Sequence, residues 1–95
     1  MATLHIEHPI TEFGVWSAAY DRFADRRRAS GVTHERVSRP VGDERYVIID
    51  LDFAKHGQAE SFLAFLETQI WSTAQNSPAL AGKPRTAILD VALDR

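Results

Sequence analysis

The sequence predicts an α+β domain with a four-stranded antiparallel sheet and two helices. Three observations carry this. Four segments alternate apolar and polar residues with the period of a strand. Two others repeat large apolar residues every three or four positions, as one face of a helix does. Their order is strand–helix–strand–strand–helix–strand, the split βαβ pair of a ferredoxin-like βαββαβ arrangement.

The first strand is "ATLHIEHPI". Leu4, Ile6 and His8 point one way, Thr3, His5 and Glu7 the other, and Pro9 ends it. Thr11 is the expected helix N-cap, with Glu12 favourable in the first turn. Phe13, Trp16, Tyr20 and Phe23 then form one aromatic stripe. Arg26, Arg27 and Arg28 fall in the last helical turn, where they complement the dipole and are expected to be solvated, and Gly31 closes the helix.

"VTHERVSRPVGDERYVIIDLDF" reads as two strands joined by a turn around Pro40–Glu44. In its second strand Val47, Ile49, Leu51 and Phe53 share one face, and Tyr46, Ile48, Asp50 and Asp52 the other. A second helix is expected from about Gly57 to Ala74, burying Ala59, Phe62, Leu63, Leu66 and Ile70. "QNSPALAGKP" has the composition of a loop. "RTAILDVAL" is the last strand, with Ala87, Leu89, Val91 and Leu93 expected on the core face and Ile88 and Asp90 opposite.

Ninety-five residues suit one domain, residues 1–95. A core this small often gains stability by oligomerising. The net charge of -2 offers no general attraction to nucleic acid or anionic membrane. There is no cysteine, which excludes disulfides and thiolate chemistry. No apolar run approaches the ~20 residues of a membrane span. No secretory signal is visible, so a cytoplasmic location is expected.

Two helices cover one face of a four-stranded sheet, so function is sought on the other. There the alternation places Thr3, His5, Glu7, Tyr46, Ile48, Asp50 and Asp90, with His34 and Arg36 from the second strand. His5 and Glu7, two apart on a strand, stand ~6.6 Å from each other along the backbone. A carboxylate beside an imidazole orients it and raises its basicity. Glu7 and Asp50, close together in a secluded site, would raise the pKa of at least one of them. The alternative is a hydrogen-bonded polar lining at a subunit interface, with His34 or Arg36 as counter-charges. His5, Glu7, His34 and Asp50 also form a metal-capable set. No spacing signature such as HExxH accompanies them, and no metal is expected. Trp71 is a candidate wall that stacks on an aromatic ligand, or else packs beneath the "NSPALAGKP" loop or a partner subunit. Tyr46 offers its hydroxyl to a ligand oxygen or to an interface.

The segment "RPVGDERYVIIDLDFAKHGQAESFLAF" resembles the hairpin, strand and helix of antibiotic-biosynthesis-monooxygenase-like proteins of the dimeric α+β barrel superfamily. "ITEFGVWSAAYDRFADRRRASGV" is similar to the first helix of small actinobacterial proteins of uncharacterised function, some labelled cyclases. The resemblance implies a homodimeric barrel with two sheets face to face around a pocket. It further implies cofactor-independent oxygenation, isomerisation or cyclisation of a hydrophobic or aromatic small molecule. The chain departs from that pattern at Glu7, where the family has an asparagine. Its only asparagine is Asn76, and no histidine follows His56, so haem degradation is not expected.

The resulting expectation is a cofactor-free small-molecule enzyme. His5 with Glu7 is its base unit, Asp50 and Arg36 are electrostatic partners, and Tyr46 is a donor. His34, Trp71 and Asp90 complete the substrate site. The rivals are a non-catalytic ligand-binding module and a structural dimer whose barrel is filled by its own side chains.

Overall fold

A computed structural model describes all residues, Met1–Arg95. Strands β1 (Ala2–Pro9), β2 (Val32–Ser38), β3 (Tyr46–Phe53) and β4 (Arg85–Asp90) form one antiparallel sheet in the order β2-β3-β1-β4. Helices α1 (Phe13–Arg22), α2 (Ala24–Ala29) and α3 (His56–Phe65), with a π-helical turn at Leu66–Ile70, complete it. The element order and the central pairing of β1 with β3 are those the sequence predicts. No helix is long and apolar enough to cross a membrane.

The alternation of β1 and β3 builds the core directly. Leu4, Ile6, Val47, Ile49, Leu51 and Phe53 are all buried, and Trp16, Ala59 and Phe62 pack onto them from the helices. At ~25 cal/mol per Å² of apolar area removed from water, this cluster is the main source of stability.

Several expectations about the elements are corrected. The cap of α1 is Glu12, not Thr11. The Glu12 carboxylate accepts from the N–H groups of Gly14 and Val15 at 2.8 and 3.1 Å. The Thr11 N–H instead reaches the Ala79 carbonyl at 2.9 Å, so Thr11 belongs to the docking of the loop. The first helix also does not run unbroken to the arginines. It stops at Phe23 and restarts as α2. The bend turns Arg27 inward, where its guanidinium donates to the Tyr20 carbonyl near the end of α1, at 2.6 Å. Arg27 is 5% exposed, against the expectation of a solvated helix end. Gly31, at φ +102°, then lets the chain swing into β2.

The second helix ends at Ile70 rather than Ala74. Its last turn is π-helical, with the Trp71 N–H donating to the Leu66 carbonyl at 2.8 Å. The "NSPALAGKP" loop is fastened to the end of β1. Ile10 bridges to Leu80, and the Ala81 N–H donates to the Pro9 carbonyl at 3.2 Å. Gly82 approaches Pro9 so closely that an added Cβ would stand 2.8 Å from its ring.

The face assignment of β4 is also corrected. Residues opposite one another across an antiparallel pair share a face. Ile88 is opposite Leu4 and so points to the core, while Ala87 and Leu89, opposite His5 and Thr3, point to the other face. Asp90 is opposite Ala2 on the helix side. The pairing with β1 sets this phase, since Ile88 stands opposite the buried Leu4, and the strand ends at Asp90, before Val91 and Leu93.

Candidate functional site

No element of the chain covers the sheet face opposite the helices, and the register arranges its side chains in rows. Reading from β2 to β4, one row is Arg36, Asp50, His5 and Ala87. The row on one side is His34, Asp52, Thr3 and Leu89. The row on the other is Ser38, Ile48, Glu7 and Arg85. His5, Glu7, Asp50, Tyr46, His34 and Arg36 therefore share one face, because β1 and β3 are neighbours and β2 flanks β3.

Four of these side chains form one hydrogen-bonded chain. His5 Nδ1 meets Asp50 Oδ1 at 2.7 Å, and His5 Nε2 meets Glu7 Oε2 at 2.9 Å. The Tyr46 hydroxyl donates to Glu7 Oε1 at 2.7 Å, and Arg85 Nη1 lies 3.8 Å from the same oxygen. Thr3 closes the neighbouring row by donating to Asp52 at 2.6 Å.

The electrostatics follow from this wiring. An imidazole with a carboxylate on each nitrogen is favoured with both nitrogens protonated. The hydrogen bond to Glu7, and then that to Asp50, raise the His5 pKa above its ordinary value. The His5 and Tyr46 hydrogen bonds hold Glu7 below the usual carboxylate range. The same Tyr46–Glu7 bond pushes the phenol up. His5 thus has no free nitrogen with which to take a proton. On this geometry it is a charged, orienting group, and the free carboxylate oxygen in the chain is Asp50 Oδ2. No three His, Asp or Glu side chains are arranged to hold a metal ion.

Two expected site residues lie elsewhere. Asp90 is on the helix side of the sheet, paired with His56 at the start of α3. Trp71 is also on the helix side, in edge contact with His8, their ring centroids 6.5 Å apart. It cannot wall the polar face. Its place follows from the π-helical turn, whose extra residue rotates Trp71 toward the core.

The helix side holds a feature that the sequence reading did not single out. A cavity of about 60 Å³ lies between the sheet and the helices. Trp16, Tyr20, Leu66, Ile70 and Trp71 are among its walls, and His8 borders it from the sheet. His8 is 2% exposed. Its one signal in the sequence is phase, for it is the polar residue on the otherwise apolar side of β1.

No family model matches the chain, and no curated protein matches it. Two solved structures are similar over nearly the whole length. One is a protein of unknown function from Nitrosomonas europaea, with a TM-score of 0.72 and 12% identity, covering 99% of this chain and 91% of that one. The other is a dimeric ferredoxin-like protein from an uncultured marine organism, with a TM-score of 0.70 and 14% identity, covering 99% and 96%. The fold is ferredoxin-like. At these identities the likeness carries the architecture and not an activity.

Proposed function

We propose that this protein works as a homodimer whose open sheet faces meet, and that the chamber between them is a small-molecule site for cofactor-independent acid–base chemistry. The observation that carries this reading is the chain Tyr46–Glu7–His5–Asp50, set on a sheet face that nothing in its own chain covers. Ile48, Ala87 and Leu89 are interleaved with it, and Leu89 is 46% exposed. A face of mixed apolar and paired charged groups suits a subunit interface. The dimeric neighbour of the same fold supports the assembly.

Within the chamber, Asp50 Oδ2 takes a proton from a hydrophobic or aromatic substrate of the monooxygenase- or cyclase-like kind. His5, as imidazolium, orients Asp50 through Oδ1, and Glu7 anchors His5 from the other nitrogen. Arg36, opposite Asp50 on β2, supplies positive charge to the anion that forms, and His34 lies beside it opposite Asp52. No metal or prosthetic group is required for this step.

A second reading, an interface filled by its own side chains, is favoured by one observation. The face balances Glu7, Asp50 and Asp52 against His5, Arg36 and Arg85. An activated carbon acid distinguishes the two. The dimer is expected to open the ring of 5-nitrobenzisoxazole by proton removal, and Asp50→Asn is expected to slow this by about a hundredfold. A folded dimer that shows no turnover, or equal turnover in both proteins, sinks the chamber reading in favour of the filled interface.

A further inference from the structure

We infer that the cavity beneath His8 is a second binding site, one that takes the hydroxyl end of a small uncharged apolar molecule. It lies on the opposite side of the sheet from the proposed chamber, so it stands or falls independently of that reading.

The ring of His8 is oriented by the chain itself. Nδ1 lies 3.0 Å from the Pro9 carbonyl oxygen. A carbonyl only accepts, so Nδ1 carries the proton and the neutral ring presents Nε2 as a lone pair. The Pro9 carbonyl is itself fixed, since it also accepts from the Ala81 N–H. Burial lowers the pKa of His8, which keeps the ring neutral. Nε2 has no protein partner. Yet no polar side-chain atom is sealed away without one. Nε2 is therefore accessible, on a residue that borders the cavity.

The walls set the rest of the specificity. Trp16 and Trp71 stand on His8 with ring centroids 6.5 Å away in each case. Most of the other lining is aliphatic or aromatic. The guanidinium of Arg27 offers no free charge there. It is spent on Glu35, on the Tyr20 carbonyl and on the Tyr20 ring 3.5 Å away. A charged ligand would lose its hydration without a counter-charge, at a prohibitive cost. The volume of about 60 Å³ is room for about two water-sized bodies. That fits a hydroxyl group and the leading edge of a ring or short chain, with the remainder in the partly open mouth. The Leu66–Ile70 turn supports a binding role independently. Turns of this π-helical type recur at functional sites, and this one places Leu66, Ile70 and Trp71 on the cavity.

Phenol and toluene test the inference because they match in shape and differ in the donor. Each is titrated against the full chain and followed by the indole N–H signals of Trp16 and Trp71 and by the ¹⁵N signal of His8 Nε2. Phenol is expected to shift Nε2 as a new hydrogen bond does, and toluene is not. The phenol-to-toluene affinity ratio is expected to fall about tenfold in His8→Phe. It should persist in His8→Gln, which keeps an acceptor. The inference is overturned if phenol leaves Nε2 unmoved in the wild-type protein or if neither compound binds at millimolar concentration. Shifts that centre on His5 and Tyr46 instead also overturn it. Should His8→Phe not fold, the wild-type Nε2 response and the His8→Gln ratio decide.

Discussion

Arg27→Ala is expected to destabilise the fold by about 3 kcal/mol, read as a lower urea midpoint at unchanged slope. Arg27 Nε donates to Glu35 Oε2 at 3.1 Å, and Nη1 donates to the Tyr20 carbonyl at 2.6 Å. The guanidinium also lies 3.5 Å from the centre of the Tyr20 ring. Tyr20 joins the same cluster by donating to Glu35 Oε1 at 3.1 Å. Truncation removes all of these and leaves a void beside the core. The loss stays toward the lower end for a buried ion pair because Glu35 is 42% exposed and regains water. Arg27→Lys should recover less than half of it, since an ammonium cannot reproduce the planar fork or its stacking on Tyr20. An effect below about 0.5 kcal/mol, the range of ordinary surface substitutions, would mean that Arg27 is not part of the core.

The second large effect is on pH dependence, where two histidines pull in opposite directions. His5 has a folded pKa above its ordinary 6.5. Its clamp therefore contributes fully below pH 6.5 and is lost as pH rises through the folded value. Glu7 has a folded pKa below its ordinary 4.5, so its part is present above pH 4.5 and is lost as pH falls through the folded value. The network is thus most stabilising between pH 4.5 and 6.5. His8 behaves in the reverse sense. Its folded pKa lies below 6.5, so acidification from 6.5 toward that value destabilises the fold. His5→Gln removes the His5 contribution and with it the larger part of that of Glu7, and leaves that of His8. At fixed protein concentration, denaturation of this variant should show stability rising with pH up to about 6.5. Above pH 6.5 the variant should lack the decline that His5 gives the wild-type protein. An unchanged pH profile in His5→Gln contradicts the clamp.

These residues also show what a linear reading of this chain can reach. β1 and β3 were legible because their alternation is strict, so a slip of one residue would expose a whole apolar face. The meeting of His5 with Asp50 follows from that alternation once β1 and β3 are neighbours. β4 was not legible in the same way. "TAIL" is apolar in both phases, so on this edge strand the pattern does not decide between Ile88 and the pair Ala87 and Leu89, and the pairing with β1 does. Asp90 was misplaced for that reason. Trp71 takes the second of its two expected places, beside the loop residues 76–79 and not on the polar face, because the turn at Leu66–Ile70 departs from 3.6 residues per turn. Arg27 and His8 share a different cause. Their burial depends on partners in other elements, Glu35 on β2 for one and the loop docked at Pro9 for the other. Neither partner leaves a local mark on the residues it buries.

The proposed dimer requires a second copy to cover the open sheet face. Light scattering on the purified chain at micromolar concentration tests this most directly, alongside Leu89→Glu, which alters a side chain already exposed in the single chain. A wild-type particle of twice the 10.7 kDa chain mass is expected, with a shift toward one chain in the folded variant. A wild-type particle of 10.7 kDa would contradict the dimer.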